Sequence, residues 1–396
     1  MQDPIAYQQS IDVLHKASTP SGFVAALQEQ DNYKRVWTRD GTICSLAALL
    51  SGDEKLIATA KATIHTIFTH QHSIGYMPSN VTPTTNAASY GGIVGRADNP
   101  SWAVIGLCQY ALMTKDVELA NTYYPQVEKC FWILEAWEYN GKNLVYVPQS
   151  GDWADEYIQH GYVLFAQLLR VWALRLAAQT YQRPDWAAKA CAITTTIQNN
   201  FWQQENASKL YHPHWQQKIA DAFQGYWLMG INPSRVYPYF DLQANAFSLL
   251  LNIGTAEQTA SVVKFSQQLF KDGWNNLLPS FYPTIYDADA DMQELKGNYA
   301  YTFRNKPHQF HNGGLWAVWN GWMAMAISST GHQDFAKAIT RSVHKANLSV
   351  NNQFNECLHG KTQAPCGVPY CTWSAAGAVI AEQALQGNFL ITHIDL

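Results

Sequence analysis

The sequence repeats one pattern of paired helical segments along most of its length. In each pair, an almost entirely apolar segment is followed by a segment that is apolar on one face only. A helix that is apolar all round must be buried, whereas a helix with one apolar face lies at the surface. Each pair therefore predicts a hairpin made of an inner and an outer helix. The predicted inner helices are 40–50, 102–113, 162–181, 245–253, 315–327 and 372–385.

Outer segments complete five of these hairpins, and the two ends of the chain supply the sixth. Residues 4–17 form an amphipathic helix with no inner segment before it, and 372–385 has no outer segment after it. Pairing these two closes the repeats into a ring, whereas leaving them apart gives an open helical array. The pairing favours closure, so we predict an all-α fold, an (α/α)6 toroid or barrel of six hairpins in one catalytic domain spanning 1–396. The predicted outer helices are 54–68, 116–134, 184–202, 255–270 and 332–346.

Long loops precede several of the inner helices. Loops beyond about 12–15 residues are uncommon in a compact domain unless they are functional. Because each of them lies ahead of an inner helix, all should gather at one rim of the ring, where we expect the site. Strand signals are sparse, and short strands are expected in the loops at 140–150 and 205–240. The loops span 71–100, 206–240, 273–310 and 349–371.

Charge and cysteine content exclude several classes of partner. Charged residues make up 14% of the chain and the net charge is −4, which gives no attraction to nucleic acid or an anionic membrane. No apolar run approaches the roughly 20 residues of a membrane span. The seven cysteines include no CxxC pair, and without a recognisable signal peptide they indicate free thiols in a cytoplasmic protein. We expect no cofactor and no metal, and a homo-oligomer is compatible with the sequence.

Polar or aromatic clusters stand where the predicted inner helices begin, and we expect them to face one shared cavity. In the first, NYKRVWTRD, Arg39 and Asp40 follow Trp37. With Arg96 and Asp98 they could bind adjacent sugar hydroxyls, or form buried ion pairs that brace the loops. The chain's many tryptophans either fill the core or stack on sugar rings. The other clusters are Ser101–Trp102, Asp152–Asp155, Asp241–Asn245, His311–Gly314 and Trp373–Ser374.

Carboxylates in two of the loops suggest glycosidic bond cleavage. Asp152, Asp155 and Glu156 surround Trp153, and helix capping explains only one or two such acids. Glycoside hydrolysis needs a carboxylic acid at the leaving oxygen and a second carboxylate across the ring. A neighbouring Trp would stack on the sugar and favour a protonated carboxyl group. Asp155 is the preferred acid, with Asp152 and Glu156 as alternatives.

Two further loops carry candidate polar groups. Glu356 is the only acid in the loop 349–371. His311 and Asn312 precede a Gly-Gly pair, which lets a backbone approach a ligand closely; a helix cap is the other interpretation.

Five segments, in the same order along the chain, resemble the alkaline/neutral invertases, glycoside hydrolase family 100. They are PSGFVAALQEQDNYKRVWTRD, GGIVGRADNPSWAVIGLCQY, INPSRVYPYFDLQANAFSLLLNIGT, FHNGGLWAV and CTWSAAGAVIAEQAL. The resemblance implies an (α/α)6 enzyme that splits sucrose with inversion. The motif DWAD also resembles that of sugar phosphorylases of this fold.

Carried over to this chain, the resemblance implies that Asp155, or else Asp152, is the acid and that Glu356 is the base. We expect their carboxyl groups to lie roughly 6.5–9.5 Å apart, as inversion requires. The expected substrate-binding residues are Trp37, Arg39, Asp40, Arg96, Asp98, Trp102, Asp152, Trp153, His311, Asn312, Trp316 and Trp373.

The chain departs from the family in two places. Glu156-Tyr157 stands where the family has two arginines, and DMQELKGNYAYTFRNKPHQ replaces a Trp-rich segment. Both changes fall where the leaving group should lie. We therefore expect an inverting hydrolase of a small α-linked disaccharide or glucoside, either sucrose or a related α-glucoside. The alternatives are an inverting disaccharide phosphorylase, an (α/α)6 sugar epimerase or isomerase using His311 and His359, and a sugar-binding protein without turnover.

Overall fold

The computed structural model describes residues 3–204, 215–272, 277–298 and 302–393. Parts of the predicted loops 206–240 and 273–310, and of the predicted strand region 205–240, lie outside these residues. The described helices are α1 (Pro4–Ala17), α2 (Thr38–Ser51), α3 (Glu54–Thr69), α4 (Asn99–Thr114), α5 (Val117–Thr122), α6 (Tyr124–Ala136), α7 (Leu164–Tyr181), α8 (Pro184–Asn200), α9 (Trp215–Ala222), α10 (Leu242–Leu250), α11 (Ala256–Asp272), α12 (Asp291–Gly297), α13 (Ala317–Ser329), α14 (Gln333–Asn352) and α15 (Thr372–Leu385).

Short strands join these helices at several points. They are β1 (Ser18–Thr19), β2 (Gly22–Phe23), β3 (Val36–Trp37), β4 (Asn80–Val81), β5 (Ala88–Ser89), β6 (Tyr162–Val163), β7 (Leu228–Ile231), β8 (Val236–Asp241), β9 (Phe281–Tyr282), β10 (Cys357–Leu358) and β11 (Pro365–Cys366). All pair antiparallel, in the orders β1-β2, β3-β4-β5, β6-β7-β8-β9 and β10-β11. The strands predicted within 205–240 are therefore present as β7 and β8, whereas 140–150 contributes only an isolated bridge between Val147 and Gly161.

The six predicted inner helices are α2, α4, α7, α10, α13 and α15. Every residue of α4 from Asn99 to Ala111 is buried, as expected for a helix that is apolar all round. Each inner helix contacts the next in the order α2, α4, α7, α10, α13 and α15, and α15 contacts α2 again. The inner helices thus form the core and bring their starting ends together.

Outer helices pack on the inner ones through one face. In α3 the buried positions include Leu56, Ala60, Ile64 and Ile67, spaced three or four residues apart along one side. The helix α1 packs on α15, as predicted for the two ends of the chain. The predicted helix 116–134 is instead two helices, α5 and α6, because Pro125 in the first turn of α6 suits a helix start better than a helix interior. Among the described residues, no helix is both long and apolar enough to cross a membrane.

Helices α13 and α15 approach each other through two glycines. A Cβ atom added to Gly377 would lie 2.6 Å from the Cα atom of Val318, and one added to Gly321 would overlap the Gly377 carbonyl oxygen. Both glycines are therefore needed for the two backbones to come this close. This contact explains the glycine at the centre of the α15 sequence.

We expect Gly377→Ala to lower the free energy of unfolding by about 1–3 kcal/mol, because the added methyl group forces the two helices apart. Urea unfolding followed by circular dichroism measures the effect. Gly297→Ala is the matched control, since a Cβ atom there meets nothing within 4 Å. Equal stability of Gly377→Ala and the wild type would contradict this account of the helix contact.

Candidate active site

One cavity of about 520 Å³ opens at the starting ends of the inner helices. Five of the six predicted clusters, with the loops that lead into them, contribute to its wall. The cluster Asp241–Asn245 does not, because Asp241 caps α10 through the Ala244 N–H and Asn245 binds the backbone of Trp227. The lining residues are Asp31, Asn32, Tyr33, Trp37, Arg39, Asp40, Arg96, Trp153, Asp155, Glu156, Thr302, Arg304, Phe310, His311, Trp316, Glu356 and Trp373.

Aromatic rings form much of the cavity wall. His311 and Trp316 are stacked, with ring centroids 5.3 Å apart and planes 7° from parallel. Trp153 meets Trp316 edge-on at 5.2 Å, and Trp373 meets Trp316 at 5.8 Å. Burial lowers the pKa of His311 well below its usual value, so the ring is neutral at pH 7. Flat apolar faces of this kind suit the C–H faces of a sugar ring.

Arg39 and Asp40 line the cavity at the start of α2. The Arg39 guanidinium binds the carboxylate of Asp98 at 2.9 Å and lies 5.7 Å from the centre of the Trp373 ring. Burial raises the pKa of Asp40 to about 6. The predicted bracing ion pair is therefore present at Arg39, and Arg39 and Asp40 both line the cavity.

Glu356 lies directly before β10 and is buried at the cavity wall. The Tyr33 hydroxyl donates to its Oε1 at 2.7 Å, and the Val368 N–H donates to its Oε2 at 3.0 Å. Burial raises the pKa of Glu356 to about 7, although both donors act in the opposite direction. A carboxylate with a pKa near neutrality is suited to exchanging a proton during a reaction at pH 7.

Asp155 lies at the opening of the same cavity, with about 33% of its side chain exposed. Its Oδ2 accepts a hydrogen bond of 2.5 Å from Arg96, which also donates to the Ser150 carbonyl oxygen at 3.0 Å. Arg96 is therefore paired with Asp155, while Arg39 is paired with Asp98 and lies 3.8 Å from the Asp40 carboxylate.

A second cavity, of about 540 Å³, adjoins the first. The two share Asn32, Trp37, Arg96, Asp155 and Glu156 in their walls. The rest of the second wall is mainly polar and neutral. Asp155 is thus placed at the boundary between an aromatic inner cavity and a polar outer one. The polar side chains that line only the outer cavity are Ser79, Asn80, Ser89, Gln149, Ser150 and Asn298.

Sequence reasoning named Glu156 only as an alternative acid, and it did not name six other lining residues as ligand contacts: Asp31, Asn32, Tyr33, Thr302, Arg304 and Phe310. Glu156 binds Arg304, whose guanidinium lies 4.3 Å from the centre of the Phe310 ring. Glu156 and Arg304 belong to the two segments that depart from the family pattern, so the two departures are partners in the structure. The sequence could have indicated Glu156 and Arg304, because both lie in segments that differ from the family pattern. It could also have indicated Tyr33, which belongs to the NYKRVWTRD cluster.

Trp102 requires a correction, because it does not line the cavity. It is fully buried, and its ring packs against Trp172, Phe247 and Trp322 at 6.0–6.4 Å. At the fourth residue of α4 the side chain points into the packed centre of the ring of helices. The expectation that Trp102 stacks on a sugar is therefore wrong.

Three other expected ligand contacts also lie behind the cavity wall. Asp98 and Asp152 are buried outside the lining, Asp98 holding Arg39 and Asp152 accepting from the N–H of Trp153. Burial raises the pKa of Asp152 well above its usual range. The Asn312 amide binds the backbone of Ile285, at 2.7 and 2.8 Å. These three side chains position the wall and do not face the cavity.

No group of three or more His, Cys, Asp or Glu side chains suited to holding a metal ion occurs among the described residues. The cavity wall contains five acidic side chains, among them the partly exposed Asp155 and the buried Glu356. This arrangement can transfer protons on both sides of a bound sugar.

Comparison with known proteins identifies relatives along nearly the whole chain. The chain is 21% identical to the probable chloroplastic alkaline/neutral invertase A of Arabidopsis thaliana, over 93% of this chain and 67% of that protein. It is 23% identical to the probable alkaline/neutral invertase D of the same plant, over 95% of this chain and 80% of the relative. For cytosolic invertase 1 of Oryza sativa subsp. japonica the identity is 22%, over 96% and 76%.

Solved structures with the same fold are glycosidases. The GH63 mannosylglycerate hydrolase from Thermus thermophilus superposes with a TM-score of 0.69 at 12% identity, over 94% of this chain and 99% of that one. A bacterial glucoamylase complexed with acarbose gives a TM-score of 0.66 at 14% identity, over 97% and 56%. The model of the family described as alkaline and neutral invertase matches residues 188–388, about half of the chain. The protein therefore belongs to the alkaline and neutral invertase family and is a glycoside hydrolase.

Proposed function

We propose that the protein is an inverting hydrolase of a small α-linked disaccharide or glucoside, sucrose or a related α-glucoside. The observation that carries the proposal is that Asp155 and Glu356 line one aromatic-walled cavity. We further propose that 1–396 forms one closed (α/α)6 toroid, which the circular contacts of the inner helices support, and that it acts in the cytoplasm on a carbohydrate.

Glu356 is the proposed general base. Two donors hold its carboxylate oxygens in place, and its pKa of about 7 suits proton abstraction from water at neutral pH. In an inverting enzyme the water stands between this carboxylate and the anomeric carbon, and Glu356 takes its proton as the new C–O bond forms. That geometry requires carboxyl groups roughly 6.5–9.5 Å apart, which is the separation we predict for Asp155 and Glu356.

Asp155 is the proposed general acid, in preference to Asp152 and Glu156. Asp152 is buried outside the cavity, and the Glu156 carboxylate is held by Arg304. Asp155 stands where the two cavities meet, which suits a group that protonates the oxygen between two parts of a substrate. A bound substrate must displace the Arg96 contact so that Asp155 carries a proton.

In this proposal the glucosyl ring occupies the inner cavity and the leaving group extends into the outer one. The aromatic wall and the Arg39–Asp40 neighbours recognise the ring, while serine, asparagine and glutamine side chains meet the hydroxyl groups of the leaving group. The Glu156–Arg304 pair lies at the point of passage between the two and sets which leaving groups fit.

The alternatives fit the cavity less well. A phosphorylase would need a cationic pocket for phosphate, but Arg39, Arg96 and Arg304 each face a carboxylate. An epimerase built on paired histidines would need both His311 and His359 in the wall, and only His311 is among the lining residues.

The test is a screen by proton NMR of sucrose, trehalose, maltose, isomaltose, kojibiose and glucosylglycerate, each with and without phosphate. We expect phosphate-independent cleavage in which β-glucose appears first, since inversion converts an α-linkage to a β-product. Initial release of α-glucose would overturn inversion. Cleavage only with phosphate, or none with any sugar, would overturn hydrolysis of this substrate class.

The pH profile of a Tyr33→Phe variant provides a further prediction. Glu356 is active as the carboxylate, so kcat/KM should fall as the pH drops through about 7. The Tyr33 hydroxyl stabilises that carboxylate, and its removal raises the pKa. The acid limb of kcat/KM should therefore move to higher pH by about one to two pH units, given about 1.5–3 kcal/mol for a hydrogen bond to a charged group.

Tyr139→Phe is the matched control, because Tyr139 is exposed and outside the cavity lining. Its acid limb should coincide with that of the wild type. An unmoved limb in Tyr33→Phe would show that Glu356 is not the group that titrates.

A further inference from the structure

Two cysteines face each other across the hairpin that follows Glu356. Cys357 of β10 and Cys366 of β11 are direct register partners in an antiparallel pair. Opposed residues in such a pair have Cα atoms about 4.5–5.5 Å apart, within the roughly 4.4–6.8 Å range that a disulfide spans. Neither cysteine is in a disulfide.

We propose that Cys357 and Cys366 are a reversible oxidation site that closes to an intramolecular disulfide and thereby suppresses the active site. The oxidant is a peroxide, of which hydrogen peroxide is the simplest. The Cys366 thiolate attacks one peroxide oxygen, the O–O bond breaks, and a sulfenic acid and water form. The Cys357 sulfur then displaces the sulfenic oxygen as a second water. Two thiols lose two hydrogens in total, and the peroxide is reduced to two waters.

The two thiols differ in exposure and in pKa, as these two steps require. Cys366 is partly exposed, and the hydrogen bond from Cys357 lowers its pKa to about 7. The thiolate is the nucleophile, so Cys366 reacts first. Cys357 is buried, and burial raises its pKa well above the usual range. It is therefore protected from direct oxidation and placed to resolve the sulfenic acid on its neighbour.

The remaining cysteines do not combine these properties. Cys44, Cys108, Cys130 and Cys371 are buried, and burial raises the pKa of each thiol. Cys191 is exposed on α8, which makes it a control for unspecific oxidation. In a reducing compartment a disulfide that does form is usually transient and sensory.

The hairpin transmits this bond to Glu356. Glu356 immediately precedes Cys357, its N–H donates to the Val368 carbonyl at 2.8 Å, and Val368 returns a donor to its Oε2 at 3.0 Å. A Cβ atom on Gly367 would overlap the Glu356 carboxylate, so that backbone has no free space beside it. Bonded sulfurs lie about 2.05 Å apart, much closer than two thiols in contact. Closing this sulfur–sulfur gap turns the Cys357 side chain, and because Cys357 directly follows Glu356 in the chain, the change reaches the backbone that holds the carboxylate.

The experiment treats the full-length protein with hydrogen peroxide, blocks remaining thiols with iodoacetamide and maps tryptic peptides without reduction. Lys361 lies between the two cysteines, so a disulfide joins peptides 346–361 and 362–396. Further cleavage with chymotrypsin after Tyr370 separates Cys366 from Cys371. We expect the Cys357–Cys366 link, with the loss of two hydrogens, and complete reversal by dithiothreitol.

Activity on the substrate found by the sugar screen should fall by about a hundredfold in the linked protein, as expected for a displacement near 1 Å of a reacting group, and return on reduction. Cys366→Ser should keep its activity in peroxide and show no link, while Cys191→Ser should respond as the wild type does. A link to another cysteine, no link, or equal activity of the linked and reduced proteins would overturn the proposal. Because the peptide map does not depend on turnover, it shows whether the disulfide forms even if no hydrolase activity is found.

Discussion

Replacing Asp155 with Asn lowers kcat for an unactivated α-disaccharide by about 10²–10⁴-fold, the usual contribution of a positioned general acid. The same variant retains far more activity on α-glucosyl fluoride, because fluoride departs without a proton. This difference between substrates is the signature of a lost acid, since a distorted cavity would impair both. The measurement is a comparison of kcat for the two substrates by glucose release.

The matched control for this prediction is Asp334→Asn, which makes the same chemical change at an exposed position in the first turn of α14. It should leave both rates unchanged. Glu156→Gln tests whether the neighbouring carboxylate, rather than Asp155, is the acid. We expect this variant to change KM for the disaccharide more than kcat. If Asp155→Asn keeps its full rate on the disaccharide, the acid is another residue.

Glu356→Gln should lower activity on more substrates than Asp155→Asn does, because hydrolysis of the disaccharide and of α-glucosyl fluoride both require an activated water. We expect kcat to fall by about 10²–10⁴-fold for the disaccharide and for the fluoride alike. The amide keeps the size of the side chain and can still accept from Tyr33, but it takes no proton from water. We also expect the pH profiles of both rates, measured across pH 5–9, to lack the decrease below about pH 7 that Glu356 produces in the wild type.

Glu257→Gln provides the corresponding control on the exposed face of α11, where the side chain lies in solvent. It should retain the wild-type profile. A Glu356→Gln variant that lost the disaccharide activity but kept the fluoride activity would behave as an acid variant, and the two proposed roles would have to be exchanged.

The helices were predictable because their apolar patterns record burial directly. The inner segments 102–113 and 372–385 are apolar on every side, and the corresponding helices α4 and α15 are buried on every side. The pairing of 4–17 with 372–385 followed from the repeat alone and is confirmed. The break between α5 and α6 was not predicted, because one face of the segment stays apolar through Tyr123. The signal for the break is Pro125, which stands in the first turn of α6.

The site was harder to predict, because residue type does not reveal which way a side chain points. Trp102 and Trp316 both stand near the start of an inner helix, yet one ring fills the core and the other borders the cavity. The hydrogen bond from Arg96 to Asp155 joins residues 59 positions apart in the chain, and nothing in the sequence indicated that these two side chains meet. Contacts of this kind depend on how loops meet in space, and no local pattern encodes them.

The three arginines of the inner cavity have a consequence for what enters it. Arg39, Arg96 and Arg304 are each bound to a carboxylate, while five acidic residues stand in the same wall: Asp31, Asp40, Asp155, Glu156 and Glu356. The field at the entrance is therefore negative, and like charges are repelled over a range set by the ionic strength. We therefore expect phosphorylated sugars to bind more weakly than the corresponding free sugars.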